Sequence, residues 1–202
     1  MKLGIISDIH DHVPQLKSAL GFLRKQTETL FCLGDLCSPF TLALMAKIYS
    51  HPIHLVIGNN DADLYRMMSI VHTQAHTHVH IHGESAHLVL EEMAFSPFQV
   101  GASKQEEDTF KVGLTHFPDT ALNMFHSGFY QLVCYGHNHE RHHPYHQPPL
   151  LVNPGTLMGY QPARDLPIRP TFCILDTTTY AVQPYELVPD SSDPTIFSVN
   201  MI

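Results

Sequence analysis

Seven side chains able to bind a metal ion lie in short polar clusters that follow apolar stretches of this 202-residue chain. They are two carboxylates, one carboxamide and four imidazoles: Asp8, Asp35, Asn59, His10, His116, His137 and His139. Carboxylates brought close together repel each other and are costly to desolvate, and divalent cations would remove that cost. Oxygen and nitrogen donors without a thiolate suit Mn²⁺, Fe, Zn²⁺, Co²⁺ or Ni²⁺. The sequence therefore indicates metal-dependent chemistry.

The apolar stretches have the length of buried strands and alternate with helical patterns. Strands are predicted at 3–6, 30–33, 53–57, 110–114 and 132–135. Helices are predicted at 14–26, 40–49 and 119–127. This alternation is typical of an α/β protein whose sheet is covered on both faces. In such sheets ligands bind beyond the carboxyl ends of the strands, so the polar clusters are expected to converge there.

The middle of the chain is less regular. Residues 77–82 and 86–91 alternate around Gly83-Glu84 and predict a β-hairpin. The segment 93–108 is predicted to be a loop. Later strands are predicted at 150–152, 171–176 and 180–187.

The chain is expected to form one domain, because neither a repeat nor a long linker interrupts it. We place that domain at 1–188 and a tail at 189–202. The tail is polar and then apolar, which leaves open whether it docks back or pairs with a second copy of the chain in a homo-oligomer.

Charge and hydropathy exclude several classes of protein. Lys and Arg total 11 against 19 Asp and Glu, a formal net charge of −8, so broad nucleic-acid binding is not expected. No apolar run reaches the roughly 18 residues of a transmembrane helix, so no membrane partner is expected. The first apolar run is too short for a signal peptide and ends at Asp8, which predicts a cytoplasmic protein. The four cysteines form no C-x-x-C pair, and no disulfide framework is expected.

Histidine is unusually frequent, at 17 residues. One group alternates along a predicted strand, which places its imidazoles on one face: His76, His78, His80 and His82. This strip is either a solvated strand face or a secondary metal-binding strip. Neighbours on one face of a strand are about 7 Å apart, far for ligands of one ion, which favours the solvated face.

Five blocks follow one another in a fixed order, each after a predicted strand. They are Asp8-x-His10, Gly34-Asp35, Gly58-Asn59-x-Asp61, His116 and Gly136-His137-x-His139. This order resembles the signature of the calcineurin-like metallophosphoesterases. Asn153-Pro154-Gly155-Thr156, Pro162-x-Arg164 and the strand Phe172 to Asp176 resemble the small bacterial and archaeal phosphodiesterase branch, which is YfcE-like. The resemblance covers about residues 1–188.

The resemblance implies an α/β fold of two mixed β-sheets packed as a sandwich and flanked by helices. It also implies two divalent metal ions, with Mn²⁺ the first choice. The first ion would be held by Asp8, His10, Asp35 and His139. The second would be held by Asp35, Asn59, His116 and His137, with Asp35 bridging. The implied reaction is hydrolysis of a small phosphate ester, most often a diester, by attack of a metal-bridging hydroxide.

The third block departs from the family at one catalytic position. Many members carry a histidine after the asparagine of this block, where it assists departure of the leaving group. Here that residue is Asn60, whose amide can donate a hydrogen bond to the substrate but cannot supply a proton. His12 is a candidate acid in its place. Arg164 is a candidate for binding the substrate's phosphate, and a salt bridge to a nearby carboxylate is its alternative.

Two other classes of function remain open. Some proteins of this fold act as protein-binding scaffolds, and the additional histidines would also suit a metal-binding protein. All seven ligand types are retained in this chain, which favours an enzyme acting on a small phosphorylated substrate. Two metals per chain with turnover would support the enzyme, and metal without turnover would support the others.

Overall fold

The computed structural model describes residues 1–73, 76–91 and 109–202. In these ranges the helices are α1 (Val13–Leu23), α2 (Pro39–Ile48), α3 (Leu64–Thr73) and α4 (Pro118–His126). The strands of the first part are β1 (Lys2–Ile6), β2 (Thr29–Cys32), β3 (Ile53–Leu55), β4 (Val79–Ile81), β5 (Ser85–Glu91), β6 (Thr109–Thr115) and β7 (Leu132–Cys134). Those of the second part are β8 (Arg141–His142), β9 (Leu150–Pro154), β10 (Tyr160–Gln161), β11 (Leu166–Pro167), β12 (Thr171–Asp176), β13 (Val182–Pro189) and β14 (Phe197–Met201).

Two mixed sheets form the centre of the fold. The seven-stranded sheet has the order β14-β13-β12-β1-β2-β3-β4, with β1 to β4 parallel and β12 to β14 antiparallel. The five-stranded sheet has the order β5-β6-β7-β9-β8, with β6, β7 and β9 parallel. The strands β10 and β11 pair separately. The expected pair of mixed sheets is confirmed.

The two sheets bury their facing sides against each other. Leu3 and Ile5 of β1 and Phe31 of β2 form one buried cluster with Val112 of β6 and Leu132 of β7. Short apolar strands bury side chains on both faces when a second layer covers each face. The removal of this apolar surface from water stabilises the sandwich.

Helices cover the outer faces of the sandwich. Leu20 of α1 and Met45 of α2 pack with Leu30 and Ile53 on the seven-stranded sheet. A separate buried cluster joins α4 to the outer face of the five-stranded sheet, through Ala121, Met124, Val133 and Leu151. The flanking helices inferred from the strand-helix alternation are therefore present, and none of the helices in the described ranges is long and apolar enough to cross a membrane.

The predicted hairpin of 77–82 and 86–91 is wrong. β4 pairs in parallel with β3 in the seven-stranded sheet, whereas β5 pairs antiparallel with β6 in the other sheet. Gly83 and Glu84 therefore carry the chain from one sheet to the other. Alternating side chains identify a strand but do not identify its neighbour, because pairing depends on residues distant in sequence.

Helix α3 is not among the helices predicted from the sequence, and Met67 is its one buried residue. The predicted loop at 93–108 lies outside the described residues. The last segment forms β14, which pairs antiparallel with β13 at the edge of the seven-stranded sheet. Phe197 and Val199 of this strand pack against the core beside α1. The apolar end of the chain therefore docks back onto its own domain.

Candidate metal centre

Loops from both sheets carry the residues predicted to bind metal. Asp8 follows β1 and Asp35 follows β2, both in the seven-stranded sheet. His116 follows β6 and His137 follows β7, both in the five-stranded sheet. The carboxyl ends of these parallel strands meet at one edge of the sandwich, where α/β proteins place their ligands.

One group of donor atoms surrounds Asp8. Ligand atoms of Asp8, His10 and His139 lie within 4.8 Å of one another. Nε2 of His139 is 3.4 Å from Oδ1 of Asp8, and Nε2 of His10 is 3.5 Å from Oδ2 of Asp35. Separations of this size are too long for strong hydrogen bonds, but they suit atoms that share one cation.

A second group surrounds His116, whose imidazole is fully buried. Its Nε2 is 3.4 Å from Oδ2 of Asp35, 3.1 Å from Oδ1 of Asn59 and 3.2 Å from Nδ1 of His137. The last two atoms are themselves 2.9 Å apart. One carboxylate, one amide oxygen and two imidazole nitrogens therefore point to a common space.

The two groups share carboxylates. Oδ2 of Asp35 lies 3.5 Å from an imidazole of the first group and 3.4 Å from an imidazole of the second. Asp8 also takes part in both, since its ligand atom lies within 4.8 Å of those of Asp35 and His116. Both acidic residues thus lie between the imidazoles, where two positive ions would be balanced.

Two buried polar atoms test whether the site fits cations. Oδ1 of Asp8 and Nε2 of His10 are buried and have no hydrogen-bond partner among the described residues. Burying such atoms without a partner costs about 1–3 kcal/mol each, and more for a charged group. Both atoms belong to residues of the first donor group, so a cation bound there could accept a lone pair from each. The residues present fit divalent metal ions.

The outer ring nitrogens fix the tautomers of two imidazoles. Nδ1 of His116 lies 2.7 Å from the carbonyl oxygen of Leu33, and Nδ1 of His139 lies 2.6 Å from that of Tyr160. A carbonyl only accepts, so each Nδ1 carries the proton and each Nε2 offers its lone pair to the site. This outer hydrogen bond is typical of metal-ligating histidines.

Burial and the close carboxylates shift the acid–base equilibria of the polypeptide. Burial opposes ionisation of Asp35, but the close imidazole of His116 and the hydrogen bonds from Asn60 lower its pKa well below the ordinary value. Burial opposes protonation of His116 and His139, yet the neighbouring carboxylates raise the pKa of both imidazoles. For His10 burial prevails and lowers the pKa. The lowered pKa keeps the carboxylate of Asp35 ionised beside these imidazoles.

The loops adopt strained conformations that direct these side chains. Five of the candidate ligands have left-handed backbone torsions, with φ of 44° to 75°: Asp8, His10, Asp35, His137 and His139. For residues other than glycine this conformation costs about 1–3 kcal/mol. Glycine is needed beside them, because a Cβ at Gly58 would lie 2.3 Å from Oδ1 of Asp35 and one at Gly136 would lie 2.0 Å from Oγ of Ser7.

Asp61 ties two of these loops together. Its Oδ2 accepts hydrogen bonds from the backbone N–H groups of Asp35 and Gly58, and its Oδ1 accepts one from Cys37. The sequence predicted that this carboxylate would hold its own loop, and the structure extends that role to the loop after β2. Burial raises its pKa despite the hydrogen bonds from Gly58 and Cys37.

The candidate ligands open into a cleft of about 530 Å³. Asn60 lines this cleft together with His10 and His137. His12 does not line it, and its Nδ1 lies 2.9 Å from the carbonyl oxygen of His10. Arg164 is absent from this lining and forms an ion pair with Glu140, at 2.6 Å between Nη2 and Oε1.

Three further polar residues line the cleft and were not predicted from the sequence. Glu140 and Asn138 flank His139 in the fifth block, and this adjacency could have marked them. Gln161 enters the cleft from the strand β10, and its Nε2 donates to the carbonyl oxygen of Asn138 at 2.7 Å. No motif signals Gln161, because only the tertiary fold brings β10 to the fifth block.

The side chains of the histidine strip do not share one environment. Nε2 of His78 lies 3.1 Å from the carbonyl oxygen of Ala46 in α2. His80 and His82 instead stack on His54 of the neighbouring strand, with ring centroids 4.9 and 5.3 Å from that of His54. The strip is thus partly sequestered, which the alternation alone did not show.

Comparison with known proteins agrees with this geometry. The calcineurin-like phosphoesterase superfamily domain matches residues 1–180. The chain is 31% identical over 180 residues to Phosphodiesterase MJ0936 of Methanocaldococcus jannaschii, covering 88% of this chain and 93% of that protein.

Solved structures share the fold with this chain. A structure described as a novel archaeal phosphodiesterase matches with a TM-score of 0.74 and 27% identity, over 93% of this chain and 100% of that one. Vps29 of Entamoeba histolytica complexed with Zn²⁺ matches with a TM-score of 0.58 and 15% identity, over 100% of this chain and 98% of that one. The second likeness concerns the fold alone. The chain belongs to the calcineurin-like phosphoesterase superfamily, in its small YfcE-like branch.

Proposed function

We propose that this protein is a metal-dependent phosphodiesterase acting on a small phosphate ester at a dinuclear centre. The observation that carries the proposal is the pair of donor groups that share Asp35 and Asp8 at the base of an open cleft. The relative named a phosphodiesterase, at 31% identity, supports a diester as the substrate.

The residues divide into two proposed sets. Asp8, His10, Asp35 and His139 would hold one cation, and Asp35, Asn59, His116 and His137 would hold the other. Two divalent ions there would supply an acidified water and stabilise charge on the phosphoryl oxygens. Mn²⁺ is our first choice, and Fe, Zn²⁺, Co²⁺ and Ni²⁺ suit the same donors.

The chain's own residues prepare the centre for this role. Asp8 and Asp35 are both nearly inaccessible to solvent. Their carboxylates therefore lie in a region of low dielectric constant, where they would attract a cation more strongly than in water. Asn60 lines the cleft and donates to Asp35, which keeps that carboxylate oriented. The backbone N–H of His137 donates to Oδ2 of Asp8 at 3.1 Å. The carboxylates are therefore fixed before any substrate arrives.

Metal reconstitution with turnover tests the proposal. Protein stripped by a chelator would be loaded separately with each of the five metals, and bound metal would be counted by elemental analysis. Hydrolysis of bis(p-nitrophenyl) phosphate would be compared with that of p-nitrophenyl phosphate. We expect two ions per chain and a higher kcat/KM for the diester.

A matched pair of variants completes this experiment. His116→Ala should lose metal and turnover together, whereas His72→Ala, on the exposed face of α3, should lose neither. Metal binding without hydrolysis of either ester would overturn the proposal and favour a metal-binding protein or a scaffold.

A further inference from the structure

A smaller depression of about 330 Å³ adjoins the metal cleft. His139, Glu140 and Gln161 line both, so the two spaces are neighbours. Arg141, Arg164 and Arg169 also line the smaller depression. We call this depression the arginine pocket.

The arginine pocket concentrates a scarce residue type. The chain has five arginines and a formal net charge of −8, and three of those five line this one depression. They come from separate segments: Arg141 begins β8, Arg164 ends a short 3-10 turn, and Arg169 lies between β11 and β12. Tertiary folding therefore gathers positive charge beside the candidate metal centre.

The guanidinium groups are incompletely neutralised. Arg164 pairs with Glu140 at 2.6 Å, but Arg169 is 3.9 Å from Glu186, beyond hydrogen-bond distance. Arg141 forms no ion pair with any residue in the described part of the chain. All three arginines are largely exposed to solvent, so an incoming anion can reach them.

Phosphate is the anion that this arrangement suits best. A guanidinium group presents a planar fork of N–H donors that matches two phosphate oxygens, and it remains charged at all relevant pH values. Glu140 lines both depressions, so its ion pair with Arg164 stands at their boundary. A bound anion would compete with this carboxylate for Arg164.

We propose that the arginine pocket binds a second phosphoryl group of the substrate. The substrate is then a small phosphodiester that carries a further phosphate, with the scissile group at the metal centre and the other at the arginines. The assignment of the scissile group rests on the proposed function, whereas anion binding in the pocket is testable by itself.

A matched pair of esters tests the proposal by turnover. One is the p-nitrophenyl ester of thymidine 5′-phosphate, and the other is the same compound with a 3′-phosphate. We expect the second to have a kcat/KM at least about tenfold higher, and this preference to shrink with added salt because salt screens exposed charges. Arg141→Gln and Arg169→Gln should each reduce the preference several-fold.

Two further variants separate charge recognition from structural damage. Glu140→Gln releases Arg164 from its ion pair and should raise the preference, a direction that unfolding would not produce. Arg24→Gln removes one positive charge at the exposed end of α1 and should leave the preference unchanged.

A binding measurement distinguishes failure of this inference from failure of the proposed function. Titration calorimetry of the metal-loaded protein would compare thymidine 3′,5′-bisphosphate with thymidine 5′-monophosphate. Tighter binding of the bisphosphate, lost in Arg169→Gln, supports the pocket even if neither ester is hydrolysed. Hydrolysis of both esters at equal kcat/KM, with equal binding of the two nucleotides, would overturn the pocket and leave the phosphodiesterase intact.

Discussion

The side-chain amide of Asn60 donates a hydrogen bond to Oδ2 of Asp35 across 2.8 Å, and the backbone N–H of Asn60 donates to Oδ1 of the same carboxylate. Both carboxylate oxygens are thus oriented by one residue. The second hydrogen of the amide is left for a substrate oxygen in the cleft. Asn60 therefore orients a candidate metal ligand from the position at which the resemblance to the family leads us to expect a histidine.

The first prediction concerns the leaving group. Without an imidazole at Asn60, the departing oxygen receives no positioned proton, and positioned acids contribute about 10²–10⁴-fold. We expect kcat/KM of the wild type to fall steeply as the leaving-group pKa rises across aryl and alkyl diesters. Asn60→His should flatten this dependence and help the alkyl esters most.

Asn60→Ala serves as the control for that series, because it removes the hydrogen bond to Asp35 without adding an acid. It should lower activity on all esters and leave the slope unchanged. A shallow slope in the wild type would mean that another acid operates.

The second prediction concerns Asp35 as a shared ligand. Asp35→Asn keeps the size of the side chain but removes its charge from both donor groups, so metal content should fall at both positions. His10→Ala should lower occupancy of one position only. Turnover should fall at least about 100-fold in Asp35→Asn, beyond the usual effect of an outer-sphere change. Near-normal activity in Asp35→Asn would contradict the shared role.

The third prediction concerns Cys37, whose Sγ lies 3.6 Å from Nδ1 of His10. His116 and His139 use carbonyl oxygens as outer partners, whereas His10 has this weakly accepting sulfur. Burial raises the pKa of the Cys37 thiol to about 12, so the sulfur stays protonated at neutral pH. Loss of an outer partner typically weakens metal binding by about 10–100-fold.

We therefore expect Cys37→Ala to weaken binding of one ion toward the lower end of that range, about tenfold. Cys37→Ser, which keeps an acceptor, should bind close to the wild type. The residue has a φ of 75°, so both variants bear the same backbone strain and differ only in the side chain. Metal titration calorimetry measures the difference, and equal Kd values for all three proteins would show that the thiol does not position His10.

The fourth prediction concerns stability in acid. Burial, and then the imidazoles of His82 and His80, lower the pKa of His54 from 6.5 to about 4. Between these values the unfolded chain binds a proton that the folded chain does not, so stability falls as the pH falls from about 6.5 to about 4. His54→Gln should reduce this loss.

Urea unfolding at about pH 7 and about pH 5 measures the difference for metal-free protein. The matched control is His72→Gln, which alters an exposed imidazole on α3. Its loss of stability between the two pH values should equal that of the wild type. An equal loss in His54→Gln would show that this imidazole titrates normally in the folded state.

The sequence by itself determined the α/β layers and the blocks at the strand ends. Both depend on short-range physics, since an apolar run such as 30–33 must be buried and the polar residues after it must leave the sheet at its carboxyl edge. The fixed order of the blocks along the chain is also enough to indicate the family. Asp8, Asp35 and His116 could therefore be named as partners although they are far apart in the chain.

Features that depend on contacts between distant parts of the chain were decided only by the tertiary structure. β4 and β5 enter different sheets because their partners, β3 and β6, are selected by burial across the whole sandwich. The partners of the ring nitrogens and the ion pair of Arg164 with Glu140 depend on loop torsions that no residue pattern encodes. The gathering of three arginines beside the metal cleft arises in the same way, because segments without a common motif become neighbours only when the chain closes its core.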